Sequence, residues 1–254
     1  FLYAIKNFGW VFRFLQNCST KKVNHISNSL GALLNSASMS FDEIFSDINV
    51  SDYIKNEEAL YLYQNQNEFL KAKITNEIRK RNGVKIKTLS QNEILDLEPS
   101  LAPVFYNGQL FLGSRHTTNP LAISKKIFET FINNGGVFLK KNIENITPSD
   151  SSIILTYNNT NYNFDKVVVC AGAWSNNLAK KLGDNFPLDT ERGYHVMFDN
   201  HGLINRPIGW SQSGFYLVQL EEGLRAAGTV EIAGLSKPEN KKRITMIENQ
   251  ARKL

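Results

Sequence analysis

The chain has 254 residues, of which 42% are hydrophobic and 21% are charged, and its net charge is +5. This length allows one large domain or two smaller ones around a buried core. The 29 basic and 24 acidic side chains are spread along the sequence, which favours a lysine-rich solvated surface and argues against a nucleic-acid partner.

The cysteines, the histidines and the apolar segments restrict the metal chemistry and the compartment. Cys18 and Cys170 match no metal or redox spacing and give no disulfide framework, which fits a reducing, cytoplasmic setting. The four histidines share no metal-ligand spacing, so we expect no metal site. The most apolar run, FLYAIKNFGWVFRFLQ, is interrupted by Lys6 and Arg13 and is shorter than the roughly 18 residues of a spanning helix. Peripheral contact with the inner face of a membrane stays open.

Helical periodicity dominates the first fifty residues. Apolar residues recur at intervals of three and four, which predicts amphipathic helices whose apolar stripes face the core. The stripes are Phe8, Val11, Phe12 and Leu15; Val23, Ile26, Leu30 and Leu33; and Phe41, Ile44, Phe45 and Ile48.

Strand and helix signals alternate in the next fifty residues. ALYLYQ predicts a strand, and a charged helix follows from about Glu68 to Arg81, with Gly83 in the position after the C-cap. Ser90 and Glu93 predict a capping box for a short helix, which must end before Pro99.

The middle of the chain combines one well-delimited helix with short strands. After the strand-like GQLFLG, the segment NPLAISKKIFETFINNGG predicts a helix with Asn119 as N-cap, Pro120 at its first position and Gly135 as its stop. VFLK, SIILTYNN and NTNYNF predict three strands, and the last two are joined by a turn at Asn158 and Asn159.

The segment VVVCAGAWSNNLAKKLG predicts a strand, a glycine turn and a helix. Val167–Val169 form a β-branched run that is typical of a strand covered on both faces. Gly172 has no Cβ and lets the backbone approach a ligand, while Ser175 can cap the helix. Ligands of open α/β sheets bind at the carboxyl ends of strands, so the turn is a candidate for cofactor contact. The same unit also occurs as plain architecture.

Beyond Gly183 the sequence predicts a second, antiparallel sheet. LDTERGYHVMF, GFYLVQL and LRAAGTVEI have strand character, with Glu221 to Gly223 as a tight connection and a last helix after Pro238. The charges and the glycine in TERGYH fit either an edge strand with a bulge or close approach to another group. Together the elements predict a mixed α/β fold, in which a nucleotide-binding sheet carries a small β-meander.

Several common site motifs do not occur in the sequence. It contains no G-x-G-x-x-G and no G-x-x-x-x-G-K-[ST], and GWSQSG lacks the spacing of a nucleophile elbow. The chain begins with Phe1 and ends inside a predicted helix, so we expect it to be an internal piece of a longer protein.

Three motifs, DKVVVCAGAWS, PLDTERGYHVMF and GLRAAGTVEIAGL, resemble the flavin-dependent D-amino-acid dehydrogenases, within the group of D-amino-acid, glycine and sarcosine oxidases. The resemblance extends to WVFRFLQNC, LEPSL and NPLAISKKI and covers almost the whole chain. It implies non-covalent FAD, part of a Rossmann-like FAD-binding domain in 114–185, and a substrate domain built on an antiparallel sheet. The substrate domain would comprise 1–113, with its helical region, and 186–254. The family's glycine fingerprint is expected before Phe1 and its G-x-R-P arginine after Leu254, so the isolated piece is expected to be inactive.

The resemblance also implies which residues bind the cofactor. Ile143 matches a position whose backbone meets the adenine. Cys170, Ala171 and Gly172 match the turn near the phosphate and the ribose. Trp174 is expected to pack against that turn.

The resemblance places the substrate on the antiparallel sheet. Tyr216 matches a strand tyrosine that hydrogen-bonds the substrate carboxylate, and Phe215 is the alternative in that register. Thr229 and Val230 would line the neighbouring strand at the flavin face. Arg192 and His195 are further catalytic candidates from the family motif, which also contains Tyr194, and the resemblance assigns none of the three an individual role.

The implied reaction oxidises D-amino acids to 2-oxo acids and ammonia, with the α-hydrogen transferred as hydride to flavin N5. A quinone, another carrier or oxygen would reoxidise the flavin. Two alternatives stay open: a glycine, sarcosine or hydroxyproline oxidase of the same family, and a non-catalytic flavoprotein-like domain that binds a partner.

Overall fold

A computed structural model describes residues 8–186, 188, 190–232 and 234–254. Residues 1–7, which open the apolar run at the start, and Asp189, which falls in a predicted strand, lie outside the described residues. The helices are α1 (Phe8–Asn17), α2 (Thr20–Asp47), α3 (Gln66–Lys71), α4 (Lys73–Arg81), α5 (Gln91–Leu97), α6 (Pro120–Asn133), α7 (Ser175–Lys181) and α8 (Lys241–Ala251). Short 3-10 turns occur at Ser51–Tyr53 and Gly172–Trp174.

The strands of the described residues form three sheets. They are β1 (Ile54–Lys55), β2 (Ala59–Tyr63), β3 (Lys85–Ser90), β4 (Asn107–Leu112), β5 (His116–Thr117), β6 (Asn145–Pro148), β7 (Ile153–Tyr157), β8 (Thr160–Phe164), β9 (Arg192–Phe198), β10 (Ile208–Trp210), β11 (Phe215–Leu220) and β12 (Gly223–Glu231). A seven-stranded sheet has the order β3-β4-β2-β10-β11-β12-β9, β6-β7-β8 form a meander, and β1 pairs with β5. The predicted mixed α/β fold is therefore confirmed.

The large sheet combines two distant stretches of the chain through one parallel pair. Leu60 pairs with Ile208 and Leu62 with Trp210 in parallel register, whereas the other neighbours in this sheet run antiparallel. The predicted antiparallel sheet of β9, β11 and β12 is confirmed, and the parallel pair joins it to β2. A parallel pair needs a long crossover, and the sequence patterns of the two strands give no sign of such a distant partner.

The core lies between one face of this sheet and helices α5 and α8. Leu60, Leu62 and Trp210 alternate onto this face and are at most 1% exposed. Ile94 from α5 and Ile247 from α8 pack into the same cluster. Each such side chain contributes about 1.5–3 kcal/mol by its burial. We call this side the core face.

The opposite side of the sheet carries one row of register partners that crosses all seven strands. We call it the tyrosine face, because two tyrosines lie at its centre. In sheet order the row is Thr88, Gln109, Tyr61, Gly209, Tyr216, Ala227 and His195. Successive residues of a strand point to opposite faces, so burial of the leucines on the core face fixes these side chains on the other.

The apolar stripes of α1 and α2 lie on the surface of the described structure. Phe8, Leu15 and Leu33 are 70%, 62% and 69% exposed, and neither helix contains a buried residue. The prediction that these stripes are core faces is wrong for the described residues, although Ile48, just after α2, is buried. The second and third stripes belong to the single helix α2. The periodicity indicates an amphipathic helix, but it does not indicate which residues cover the apolar side of that helix.

The predicted helix ends agree with the structure at several points. The Ser90 side chain accepts from the backbone N–H of Glu93, and the reciprocal bond completes the capping box. The Asn119 side chain caps α6 by accepting from the N–H of Ala122 at 2.9 Å. After α4, Gly83 has a φ of 89°. The charged helix is divided at residue 72, so it forms α3 and α4 rather than one element.

Two predicted strands do not form in the described structure. VFLK and Val167–Val169 have no strand pairing, and Val137 and Val168 are 76% and 84% exposed. A β-branched run supplies only a propensity, and a strand also needs a neighbour to bond with. The hairpin prediction is confirmed, because Asn158 and Asn159 have φ values of 47° and 56° between β7 and β8.

Candidate functional site

Tyr216 stands at the centre of the tyrosine face beside Tyr61. Their ring centroids are 5.9 Å apart, and both rings lie over Gly209 of the strand between them. A Cβ at Gly209 would lie 2.3 Å from Cδ2 of Tyr61 and 2.7 Å from Cε1 of Tyr216. The glycine therefore makes the room in which the two tyrosines meet.

Phe215 takes the opposite register to Tyr216. It is 1% exposed on the core face, and its ring centroid is 6.2 Å from that of Trp210. Tyr216 is 42% exposed. The family resemblance allows either residue as the substrate ligand, and the structure places Tyr216, not Phe215, on the tyrosine face.

A chain of polar contacts leads from the tyrosine face to Arg79 of α4. The hydroxyl of Tyr63 donates to Oε1 of Gln109 at 2.8 Å, and Nδ2 of Asn76 donates to that hydroxyl at 3.4 Å. Arg79 donates to Oδ1 of Asn76 at 2.9 Å, and its guanidinium lies 5.1 Å from the ring centroid of Phe111. These contacts hold a cation at the border of the tyrosine face.

The phenols of Tyr61 and Tyr216 have no hydrogen-bond partner in the described part of the chain. Loss of solvent on burial raises the pKa of both phenols above the ordinary value. The charge of Arg79 opposes this rise in pKa at both tyrosines. Both hydroxyls therefore remain protonated donors at neutral pH and are free to bond to a ligand.

His195 lies at the far end of the same row, on β9, where it is the register partner of Ala227 on β12. Two strand spacings separate it from Tyr216, or roughly 10 Å. It lines a cavity of about 140 Å³ together with Met197, Arg225 and residues 118–121, which lead into and begin α6. Nε of Arg225 is buried without a hydrogen-bond partner among the described residues.

Arg192 lies at the start of β9, an odd number of residues from His195, so the two side chains point to opposite faces of the sheet. Its guanidinium donates to the carbonyls of Pro238 and Gly234, at 3.1 and 3.4 Å. Arg192 thus binds the loop after β12, and the structure does not bring it together with Tyr216.

Tyr194, the next motif residue, joins β9 to the end of β12. Its hydroxyl donates to Oε2 of Glu231 at 2.6 Å and accepts from the backbone N–H of Asn240 at 3.0 Å. Lys237 pairs with the other carboxylate oxygen of Glu231. The motif TERGYH therefore contains residues that fix the loop leading into α8.

Thr229 forms a bulge in β12, where Gly228 pairs with Tyr194 and Val230 pairs with Gly193. Its φ of 58° is unusual for a β-branched residue, and its hydroxyl is buried without a partner among the described residues. Val230 is 53% exposed. Strained backbone of this kind is concentrated at functional sites, which keeps this pair of residues in the candidate site.

The predicted cofactor residues converge on a second cavity. Ile143, Cys170 and Ala171 line a space of about 250 Å³ together with Val167–Val169 and Leu178. Gly172 follows with a φ of 53°, and an added Cβ there would meet no atom within 4 Å.

The residues that follow Gly172 begin helix α7 without a side-chain cap. Trp174 is 59% exposed, and Ser175 is the first helical residue. The expected cap by Ser175 is therefore absent from the described structure, because the residue in the cap position is Trp174. The turn thus exposes both its backbone and the indole of Trp174.

Tyr61 and Arg79 were not singled out from the sequence. The alternation in ALYLYQ could have indicated Tyr61, because burial of Leu60 and Leu62 puts Tyr61 on the other face of the strand. No sequence pattern indicates a role for Arg79, since its position depends on the packing of α4. The described residues contain no cluster of three acidic, histidine or cysteine side chains fit to hold a metal, and no described helix is both long and apolar enough to cross a membrane.

The fold is that of flavin-dependent oxidases. Glycine oxidase from Geobacillus kaustophilus superposes with a TM-score of 0.67 at 15% identity, over 94% of this chain and 63% of that one. L-alpha-glycerophosphate oxidase from Mycoplasma pneumoniae, with FAD bound, gives a TM-score of 0.69 at 21% identity, over 79% and 57% of the two chains. These likenesses concern the fold alone.

The chain belongs to the family described as FAD dependent oxidoreductase, whose model matches residues 15–254. It is 28% identical to a D-amino-acid oxidase of Bradyrhizobium diazoefficiens over 250 residues, which cover 97% of this chain and 59% of that protein. It is 22% identical to a D-amino acid dehydrogenase of Vibrio vulnificus, over 94% and 60% of the two chains. The chain thus spans about 60% of the length of these curated relatives. The predicted family is confirmed.

Proposed function

We propose that the chain forms part of an FAD-dependent enzyme that oxidises D-amino acids to 2-oxo acids and ammonia. The observation that carries the proposal is the unpaired hydroxyl of Tyr216 on the tyrosine face, at the position that the family resemblance gives to a carboxylate ligand. The names of the relatives support the same substrate class.

The residues present fit an FAD molecule at the glycine turn. Ile143, Cys170 and Ala171 share one cavity, and Gly172 leaves the space above its backbone open. These residues would hold the adenine and ribose portion through their backbone and apolar side chains. When bound, FAD supplies the redox chemistry of the reaction, which is the acceptance of a hydride at N5.

The tyrosine face would bind and orient the amino acid. Tyr216 donates a hydrogen bond to the substrate carboxylate, which fixes the direction of the α-carbon hydrogen. Thr229 and Val230 border the position of the α-carbon from the neighbouring strand. The substrate amine loses a proton to solvent on binding, so no side chain needs to act as a base. The α-carbon loses its hydrogen with both electrons, and water then converts the imine to the 2-oxo acid and ammonia.

The electron acceptor belongs to this proposal as well. Two electrons leave the enzyme after each turnover, to a membrane quinone, another carrier or oxygen. A quinone acceptor requires contact with the inner face of a membrane, whereas oxygen requires none. Oxygen consumption in air, compared with reduction of a membrane quinone in lipid vesicles, separates these two acceptors.

The test uses the full-length protein under anaerobic conditions. We expect D-alanine or a similar D-amino acid to bleach the flavin absorbance, and Tyr216→Phe to raise the half-saturating concentration roughly tenfold by loss of a hydrogen bond to a charged group. Reduction by glycine or N-methyl amines alone would assign the protein to the glycine or sarcosine oxidases. A folded but colourless protein would support the non-catalytic alternative, and absence of bleaching by the whole panel would refute the proposal.

A further inference from the structure

The cavity beside His195 lies where the turn between β11 and β12 meets the start of α6. We call it the hairpin cavity. The backbone N–H of Glu221, in the turn, donates to the carbonyl of Thr118 at 3.1 Å, and Nδ2 of Asn119 donates to Oε2 of Glu221 at 2.5 Å. These bonds fix two of its walls. The residues that line it are 118–121, His195, Met197, Leu220, Glu222 and Arg225.

Arg225 brings an unpaired cation to this cavity. Its guanidinium has no hydrogen bond or ion pair with the described residues, and its Nε is buried. A buried donor without a partner costs about 1–3 kcal/mol, so an acceptor in the cavity would recover that cost. Arg225 is the register partner of Met197, two residues from His195 on β9. Arg225 and His195 are therefore diagonal neighbours on one face, roughly 7–8 Å apart, and an anion between them can contact both.

The first turn of α6 adds a second donor. The side chain of Asn119 accepts from the N–H of Ala122, and Pro120 has no N–H to offer. The N–H of Leu121 has no partner within the described residues. It also lies at the positive end of the dipole of a 14-residue helix. The helix start thus attracts an anion to the same space as Arg225.

We propose that the hairpin cavity binds a small tetrahedral oxyanion of the phosphate class, with Arg225 as its main ligand and the N–H of Leu121 and His195 as further donors. A guanidinium can bond to two oxygens of such an anion at once. A tetrahedral anion then has other oxygens for the helix start and the imidazole, whereas a carboxylate has only two oxygens in all. This inference goes beyond the proposed function, because it assigns a site apart from Tyr216 and from the glycine turn.

The size and the charges of the cavity fit such a ligand. Its volume is about 140 Å³. A single water needs roughly 10–15 Å³ of such space, so an anion of about five heavy atoms can enter. Met197 and Leu220 form apolar walls, which reduce the screening of charges by water. Glu222 also lines the cavity, but it is exposed, and its charge opposes the anion.

The experiment titrates inorganic phosphate into the full-length, FAD-loaded protein by calorimetry, in a buffer free of other oxyanions. We expect Arg225→Gln to weaken phosphate binding roughly tenfold to a hundredfold, the range for a lost hydrogen bond to a charge. Glu222→Gln should have the opposite effect and strengthen binding about twofold to fivefold, because it removes an exposed repulsive charge. The matched control is Lys242→Gln, which removes the charge of an exposed residue on α8, at the core face, and should change the affinity less than twofold.

Further variants and a second ligand locate the site. Tyr216→Phe should leave phosphate affinity within about twofold, because Tyr216 lies outside the hairpin cavity. Arg225→Lys should recover part of the affinity, since it keeps the charge but loses the planar fork. Acetate should bind more weakly than phosphate. If Arg225→Gln does not fold, Arg225→Lys and Glu222→Gln still provide effects of opposite sign.

Four results would overturn the inference. They are equal phosphate affinity in wild type and Arg225→Gln, an equal loss in Lys242→Gln, a loss caused by Tyr216→Phe instead, and tighter binding of acetate than of phosphate. Failure of the proposed function gives a different pattern, in which no amino acid reduces the flavin but phosphate binding still depends on Arg225.

Discussion

Glu98 and Arg206 form a buried ion pair that joins two stretches of the chain 108 residues apart. Nε of Arg206 donates to Oε1 of Glu98 at 2.7 Å, and the two residues are 8% and 0% exposed. The backbone N–H of Asn205 donates to the other oxygen of Glu98 at 3.0 Å. Arg206 also donates to the carbonyl of Glu58 at 3.3 Å, just before β2. The pair thereby secures the parallel junction of β2 and β10, on which Tyr61 and Gly209 depend.

Removal of one partner of this pair should be strongly destabilising. Glu98→Met leaves the buried guanidinium of Arg206 with only its longer ion pair to Oε2 of Glu58, at 3.8 Å, and we expect the free energy of unfolding to fall by about 3–5 kcal/mol. The measurement is urea denaturation followed by circular dichroism.

The double variant Glu98→Met with Arg206→Met tests the cause. Because it buries no unpaired charge, it should be more stable than Glu98→Met alone. If the loss of stability in the double variant equals the sum of the losses in Glu98→Met and Arg206→Met, the two side chains are not coupled.

Gly209→Ala should push apart the two tyrosines that meet above it. The new Cβ would lie 2.3 Å from Tyr61, so a ring or the strand must move, and we expect a loss of about 1–3 kcal/mol. Near-ultraviolet circular dichroism should change as the tyrosines shift. The matched control is Gly193→Ala on β9, where the added Cβ meets no atom within 4 Å. Equal effects of the two substitutions would contradict the steric explanation.

Glu231 should contribute stability at neutral pH that disappears in acid. Hydrogen bonds from Lys237 and then from Tyr194 hold the pKa of this carboxyl below its ordinary value of about 4.5. Because the folded pKa is the lower one, the contribution is complete above the unfolded pKa and is lost as the pH falls through the folded pKa. We expect wild type to exceed Glu231→Gln in stability at about pH 6 and to approach it near pH 3.

The pH series is measured by urea denaturation. Glu239→Gln is the control, because Glu239 lies on the same loop and is exposed. Its difference from wild type should vary little with pH. A difference for Glu231→Gln that is constant across the series would show that the ion pair and the tyrosine bond do not act through the carboxylate charge.

Features set by neighbouring residues could be predicted from the sequence. The capping box of Ser90 and Glu93, the stop at Gly83 and the turn at Asn158 and Asn159 each depend on a few consecutive residues. Local hydrogen bonds and backbone preferences determine these features, so a single sequence is enough to find them.

Features set by distant partners could not be predicted. The run at Val167–Val169 has the composition of a strand, but pairing requires a neighbour that the described residues do not provide. The exposed stripes of α1 and α2 show the same limit. In the candidate site, a motif identifies Tyr216, whereas Tyr61 comes next to it only through the pairing of β2 with β10. Arg79 reaches the ring of Phe111 only through the packing of α4.

Thr229 stores backbone strain beside the proposed substrate position. Its left-handed φ costs a residue with a Cβ about 1–2 kcal/mol, a cost that glycine avoids. We therefore expect Thr229→Gly to be more stable to urea than Thr229→Ala by about 1 kcal/mol, although glycine is normally the weaker residue in a strand. Alanine is the proper reference, because both variants lack the buried hydroxyl. If Thr229→Ala proves the more stable of the two, the residue does not hold a left-handed conformation in solution. The bulge would then be absent, and regular alternation would turn Val230 toward the core face and Glu231 away from Tyr194.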